Sequence, residues 1–373
     1  MDYGPRPSAQ DTMDPNSEHS GSSRPHKINV AVIGTGVIGP RHAKSVVSCE
    51  DATLFCLVDP SPAAAQIAQD FNVPLFGSVR EMQEAGVAPD AAIVCTPNKT
   101  HVAVSEELLE IGVHVLVEKP ISTTIESGRR LVEAAEQSGR HLLVGHHRRF
   151  NPFVTATKQA LLENKIGRPI AVSGLWMTFK PPEYYQAPME WHAQAGDGGP
   201  ILINLVHEVD ILQYLLGPIT RVHAEQTISQ RGHEAEEGAA ILLRFASGVV
   251  GTFVLSDATP SPHSFEQGTG ENPLLPQSGR DFYRIFGSEG TLSVGDMTLW
   301  KFGDGEQKTW TSKIGSSEVA VGKEVPFDEQ IEHLVRVVRD EEQPRCTGKD
   351  GLSALMVCDA VKTAIATSKP VDI

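Results

Sequence analysis

No stretch of this sequence approaches the roughly 18 consecutive apolar residues that a membrane-spanning helix needs. Basic charge is short as well: 32 Lys and Arg stand against 47 Asp and Glu, a formal net charge of -15 at pH 7. Nucleic acid and anionic membrane are both polyanions that such a chain repels, so neither is expected as a partner. Cysteine is scarce, and the five present (Cys49, Cys56, Cys95, Cys346, Cys358) are odd in number and lack CxxC spacing. They read as buried free thiols in a reducing cytoplasm, and neither a disulfide framework nor a metal site is expected. Residues 1–26 have almost no aliphatic side chains, and their Pro, Ser, Asp and Gly cannot bury enough surface to offset chain entropy. A disordered tail is expected there. It lacks the apolar core of a secretory signal and the paired arginines of a twin-arginine signal, so the protein is expected to be cytoplasmic.

At 373 residues the chain is long enough for two domains with separate cores, and it shows no internal repeat. The stretch 28–43, INVAVIGTGVIGPRHA, reads as strand, tight glycine turn and helix. In that pattern Gly34 permits the turn, Gly36 lets backbone approach a pyrophosphate and Gly39 lets helix pack against strand, while helix N-terminal amides face the phosphates. A lone GxGxxG is weak, but here the next apolar run, TLFCLVD, ends in Asp59, twenty residues after Gly39. An acidic residue at that place accepts hydrogen bonds from ribose hydroxyls and repels a 2′-phosphate. NAD is therefore expected as cofactor in preference to NADP.

Short apolar runs alternate with helical patterns over 27–150, as in a parallel sheet covered on both faces. Strands are expected at 91–96, 113–120 and 141–147. Helices are expected at 62–71 with Ser61 as cap, at 102–111, and from a Ser122 cap to about 137. The fold class is α/β, with an N-terminal Rossmann dinucleotide-binding domain. Ligands of such sheets bind past the carboxyl ends of the strands. The candidate cofactor residues are accordingly Gly34, Gly36, Val37, Ile38, Gly39, Asp59, Thr96, Pro97, Asn98, His101, Glu118 and Lys119.

Beyond residue 151 the pattern becomes that of a second α/β domain, 151–373, with a largely antiparallel open sheet. It holds a helix near 153–164, a strand at 169–177, a polar and aromatic loop over 180–199, a helix at 201–216, several strands, and closing helices near 327–340 and 351–367. The interval 260–279, with its prolines and glycines, is expected to be a long mobile loop.

The His42-Ala43 pair after the glycine turn, the CTPNKTH segment (95–101), Glu118-Lys119-Pro120, GHHRRFNP (145–152) and Gly198-Gly199 before a helix with His207 and Asp210 together carry a pattern. It resembles the glucose-fructose oxidoreductase, inositol dehydrogenase and MocA family. The resemblance covers nearly everything after the tail. It implies NAD(P)-linked oxidation or reduction of a sugar, cyclic polyol or related small molecule, and a homodimer or homotetramer formed through the C-terminal sheet. It assigns Lys119 to the substrate hydroxyl and nicotinamide, His207 to proton transfer and Asp210 to a place near the substrate. One departure stands out: many family dehydrogenases carry an aspartate four residues before that histidine, and here the position is Ile203, with Asn204 beside it.

Chemistry alone points the same way. Alcohol oxidation needs a base for the hydroxyl proton and a cation for developing alkoxide charge, and His207 and Lys119 are those residue types. Asn204, His207 and Asp210 recur every three positions and are expected on one helix face. Arg149, Trp191 and Asn204 are the candidate substrate contacts. Plainer readings stand beside these: Lys119 as an exposed strand-end cation, His207 as a helix histidine satisfied by Asp210, Arg148 and Arg149 as salt-bridge partners, His146 and His147 as packing, and Tyr184, Tyr185 and Trp191 as loop packing. Two other functions fit the same cofactor crevice, a non-catalytic dinucleotide-binding regulator and NAD-assisted glycoside cleavage.

Overall fold

A computed structural model describes residues 26–373 except Pro188, Asp197, Asp304 and Glu306; the expected tail at 1–26 lies outside the described residues but for its last. Strand β1 (Ile28–Ile33), helix α1 (Gly39–Ser48), strand β2 (Ala52–Val58), helix α2 (Ala64–Phe71), strand β3 (Leu75–Phe76) and helix α3 (Val79–Glu84) open the chain. Strand β4 (Ala91–Val94), helix α4 (His101–Glu110), strand β5 (His114–Val117), helix α5 (Ile125–Ser138) and strand β6 (Leu142–Val144) complete the first sheet. Its order is β3-β2-β1-β4-β5-β6, parallel throughout. The strand order reverses beside β1, and that switch point is where such sheets take ligands. Strands β4 and β6 are fully buried apolar runs and β5 is buried after His114, as both faces are covered.

The second half runs helix α6 (Pro152–Leu162), strand β7 (Pro169–Met177), helix α7 (Val206–Leu216), strands β8 (Ile219–Gln226), β9 (Gly238–Phe245) and β10 (Val250–Ser256), helix α8 (Phe265–Thr269) and strands β11 (Tyr283–Gly287), β12 (Gly290–Val294), β13 (Thr298–Lys301) and β14 (Gly315–Glu318). Helices α9 (Pro326–Val338) and α10 (Gly348–Thr367) and strand β15 (Val371–Asp372) end it. This sheet is antiparallel except for the parallel pair β7–β10. In β9 the burial alternates, with Ile241, Leu243 and Phe245 inward and Leu242 and Arg244 outward, so one face is covered and one is open.

Helix α9 places Ile331, Leu334, Val335 and Val337 in the same apolar cluster as β1 and α1. Helix α10 contributes Leu352 and Leu355 to the core of the parallel sheet and Val357, Cys358 and Val361 to the core of the second. One helix thus packs into both cores and fixes the cleft between them. No helix of the described residues is long and apolar enough to cross a membrane.

Several local expectations need correction. Helix α2 starts at Ala64 with Ala63 as its N-cap; Ser61 stands in the turn before it, its hydroxyl accepting from the Ala63 amide at 3.4 Å and its backbone N–H donating to Asp59. The α5 cap is Thr124, whose hydroxyl accepts from Ser127, while the Ser122 hydroxyl donates to the Thr124 carbonyl. The interval 260–279 is not a free loop: Ser264 caps α8, Phe265 is buried, and Glu266 and Glu271 pair with Arg148. Proline and glycine marked a break in regular structure there, but the acidic side chains tie the segment down. The helix expected from 201 begins as a π turn over Ile201–Leu205 and becomes α-helical at Val206.

Candidate active site

The glycine turn is shaped by contacts. Gly34 has φ +92°, and a Cβ there would lie 2.8 Å from the Cys95 carbonyl; a Cβ on Gly39 would lie 2.1 Å from the Gly34 oxygen. At Gly36 a Cβ would meet nothing within 4 Å, and Val37 is 97% exposed. Ile38 is the N-cap of α1 and provides no side-chain cap. The tip of the turn therefore presents open space and uncapped helix amides, which suit an anionic ligand. Past the end of β4, the buried Thr96 hydroxyl has no hydrogen-bond partner. An open cradle and an orphaned hydroxyl at the switch point fit a dinucleotide.

Asp59 Oδ2 accepts from the Thr35 amide at 2.6 Å and the Thr35 hydroxyl at 2.8 Å, and Oδ1 accepts from the Ser61 amide at 2.8 Å. Partial burial works against its charge, but these three donors hold its carboxyl below the usual range. Pro97 and Asn98 are exposed on the rim. His101 is buried, and its ring nitrogens lie 2.8 Å from the Pro120 and Thr96 carbonyls, so it ties the two strand-end turns to each other.

Glu118 is buried at the end of β5 and lies 2.8 Å from His42 Nε2; it also accepts from the Lys119 amide at 3.1 Å. Burial alone would raise its pKa, but the His42 bond and the charges of His42, His147 and Lys119 hold it at about 2. Lys119, joined to Pro120 by a cis peptide, lines a cavity of about 440 Å³ together with Pro97, Asn98, Trp191, Leu202 and Ile203. Burial pushes its ammonium below the usual lysine value.

His207 stands in the first turn of α7, 6% exposed, with Nδ1 unpartnered. Burial, then the charges of Lys119 and Arg148, push its pKa well below the ordinary value, so Lys119 and His207 share one field and the imidazole is neutral. The rings of His146 and His147 contact it edge-on at 6.0 and 5.7 Å. Asp210 is turned elsewhere: both its oxygens accept from Arg149, at 2.7 to 3.2 Å, and Arg149 also donates to the Arg345 carbonyl. Arg148 is likewise held, by Glu208, Glu266 and Glu271.

Asn204, His207 and Asp210 thus meet different partners. The π turn takes Asn204 out of the three-residue register, while His207 and Asp210 keep it within α7 and differ in their partners alone. Before the π turn Gly199 has φ +84°, a Cβ there would strike the Glu236 carboxylate, and that carboxylate accepts from the Ile201 amide. Asn204 Oδ1 accepts from Lys180 Nζ at 2.9 Å. Sequence reasoning missed Lys180 and its neighbours Asp257 and Arg231. The Lys180–Asn204 and Arg231–Asp257 bonds span 24 and 26 residues of chain, and no local spacing signals them.

A family profile described as "Oxidoreductase family, NAD-binding Rossmann fold" matches residues 28–146. Its companion, "Oxidoreductase family, C-terminal alpha/beta domain", matches 158–373. The chain is 26% identical to scyllo-inositol 2-dehydrogenase (NAD(+)) of Bacillus subtilis, covering 93% of this chain and 97% of that one. It is 29% identical to 1,5-anhydro-D-fructose reductase of Ensifer adhaerens over 79% of this chain and 84% of that one. Among solved structures, the WlbA dehydrogenase of Bordetella pertussis, in complex with NADH and UDP-GlcNAcA, superposes with a TM-score of 0.74 at 24% identity. That match covers 93% of this chain and 99% of that one and is a likeness of fold.

Proposed function

This chain belongs to the glucose-fructose oxidoreductase, inositol dehydrogenase and MocA family of oxidoreductases, and on that premise we propose that it is an NAD-dependent enzyme acting on a cyclic polyol, sugar or sugar-like alcohol or carbonyl. The observation that carries the reading is Lys119 on the cavity wall, in the same field as a neutral, buried His207. The names of the Bacillus and Ensifer relatives support the substrate class.

The turn Gly34, Gly36, Val37, Ile38 and Gly39, with Asp59, Thr96, Pro97, Asn98 and Glu118, would hold the cofactor, and His101 braces two of those turns. A bound nicotinamide supplies hydride acceptance and donation at the substrate carbon. His207 takes the hydroxyl proton on an imidazole nitrogen as the carbonyl forms, and it is ready to do so because its environment keeps it unprotonated. The Lys119 ammonium stabilises the developing charge on that oxygen. Asp210 acts at one remove, fixing Arg149 beside α7, and Trp191 contributes an apolar cavity wall. Ionised Asp59 favours NAD by repelling a 2′-phosphate. On the open sheet face Ile170, Leu242, Val250 and Phe286 are exposed, an apolar surface suited to a homodimer or homotetramer.

The test is nicotinamide absorbance with purified protein, NAD or NADP, and a panel of inositols, aldoses, glycosides and hydroxy acids. Reduction that is faster with NAD supports the reading. Glycoside consumption without net reduced cofactor would replace it with glycoside cleavage, and absence of turnover with cofactor bound would replace it with a regulator.

A further inference from the structure

The described carboxylates around the cleft are already matched. Glu118 holds His42; Glu266 holds Arg148 and the Trp176 indole N–H; Asp210 holds Arg149; Asp257 accepts from Arg231 at 2.8 Å and from Tyr185 at 2.7 Å. Two ammonium groups are matched poorly or not at all. Lys119 forms no ion pair with a described carboxylate and feels Glu118 and Glu266 only through the field. Lys180 Nζ donates to neutral Asn204 at 2.9 Å and forms a looser ion pair with Asp257 at 3.7 Å, a carboxylate it shares with Arg231 and Tyr185.

The rest of the Lys180 head lies over aromatic faces, 4.6 Å from the Tyr184 ring centre and 5.4 Å from that of Trp176. Tyr184 stacks on His192 at 4.4 Å, and His192 packs on Trp191, which lines the cavity with Lys119. From the other side Asn204 follows Leu202 and Ile203, which also line it. The charge of Glu266, itself bound to Arg148, is felt by both lysines. Where a carboxylate four residues before His207 would present a negative oxygen, the chain has Ile203, and the π turn offers Asn204 with a lysine attached. Of the two lysines, Lys119 has no described carboxylate in ion-pair reach and Lys180 has Asp257 only at 3.7 Å. A neutral polyol would add no charge-assisted partner to either lysine, whereas an anion would give Lys119 the ion pair it lacks and Lys180 a closer one than Asp257 offers.

Resting on the oxidoreductase reading above, we propose that Lys180 is a second substrate-binding cation and that the substrate carries an anionic group, a carboxylate on the sugar or polyol, held by Lys180 while Lys119 meets the reacting hydroxyl. Asn204 is the positioning residue that sets the lysine head.

The experiment measures binding and turnover separately. With NADH present, calorimetric titration compares D-glucuronate and D-galacturonate, D-glucose 6-phosphate, and the neutral probes D-glucose and myo-inositol. Acidic probes are expected to bind about tenfold tighter than neutral ones, with the preference shrinking as salt rises. Tighter sugar acids than sugar phosphate identify the carboxylate; the reverse order identifies a phosphate and overturns that part. Lys180→Met is expected to lose about tenfold for the acids and nothing for the neutral probes, and Lys180→Arg to restore the preference. Melting curves on both variants separate unfolding from loss of the site. Equal affinity for acid and neutral probes, no binding of any acid, or an acid preference that survives Lys180→Met in a folded protein overturns the proposal. Failure of the oxidoreductase reading shows separately, in parallel samples with NAD in place of NADH, as bound acid without any rise in nicotinamide absorbance.

Discussion

Glu118 lies 2.8 Å from His42 Nε2 across the first domain, with His42 wholly buried and Glu118 7% exposed. The pair links the helix that opens the cofactor turn to the strand end that carries Lys119. Removing one partner leaves the other buried and uncompensated, so His42→Ala is expected to cost about 3–5 kcal/mol of stability. The sign with pH follows from Glu118 being held at about 2 against an ordinary 4.5: its contribution is present above pH 4.5 and is lost as pH falls toward 2. Chemical denaturation of the wild type and His42→Ala across that range checks both statements.

His146 behaves in the opposite chemical sense with the same outcome. It is buried, neither ring nitrogen has a hydrogen-bond partner, and burial outweighs nearby Asp210 to push its pKa to about 4 from 6.5. A base depressed in the folded state withholds stability once the unfolded chain takes up protons. The protein is therefore expected to lose stability as pH falls from 6.5 toward 4. His146→Phe keeps a ring against His207 and removes the titrating group, so its melting temperature at pH 5 should exceed that of the wild type by a few degrees. An unchanged acid limb would put that sensitivity elsewhere.

The glycines of the turn separate fold from binding. Gly36→Ala adds a methyl to open space and is expected to leave stability within about 0.5 kcal/mol while weakening cofactor binding tenfold or more. Gly39→Ala drives its Cβ onto the Gly34 oxygen and is expected to lose more than about 2 kcal/mol. Melting curves with and without NADH distinguish the two.

Asp59 has its own readout. Asp59→Ser keeps a small polar side chain for the turn but removes the charge opposing a 2′-phosphate. Its NADP affinity is expected to rise relative to NAD by about tenfold, measured by quenching of protein fluorescence.

What was legible in the sequence was whatever depends on neighbours along the chain. Strand β1, the glycine turn, Asp59 and strand β7 follow from apolar runs and from residues that only a tight turn needs. Lys119 stood out because it follows a buried strand at the ligand end of the sheet. Hidden were the partnerships made across the fold. Asp210 falls on the turn after His207 but is captured by Arg149, 61 residues earlier, and Arg148 reaches Glu266 and Glu271 in a stretch whose prolines and glycines suggested only a loop. The π turn was illegible for another reason: the Glu236 carboxylate beside Gly199 accepts from the Ile201 amide at its start, a contact no periodicity encodes.

The measurement closest to the central claim follows nicotinamide absorbance for wild type, Lys119→Ala and His207→Ala on one compound that the wild type turns over, with cofactor affinity determined on the same samples. Turnover is expected to fall at least 100-fold in each variant with NADH affinity held within about threefold, since each removes roughly 3 kcal/mol of transition-state stabilisation. Turnover undiminished in both, in folded protein with cofactor bound, would contradict the assignment of Lys119 and His207 to the reacting centre.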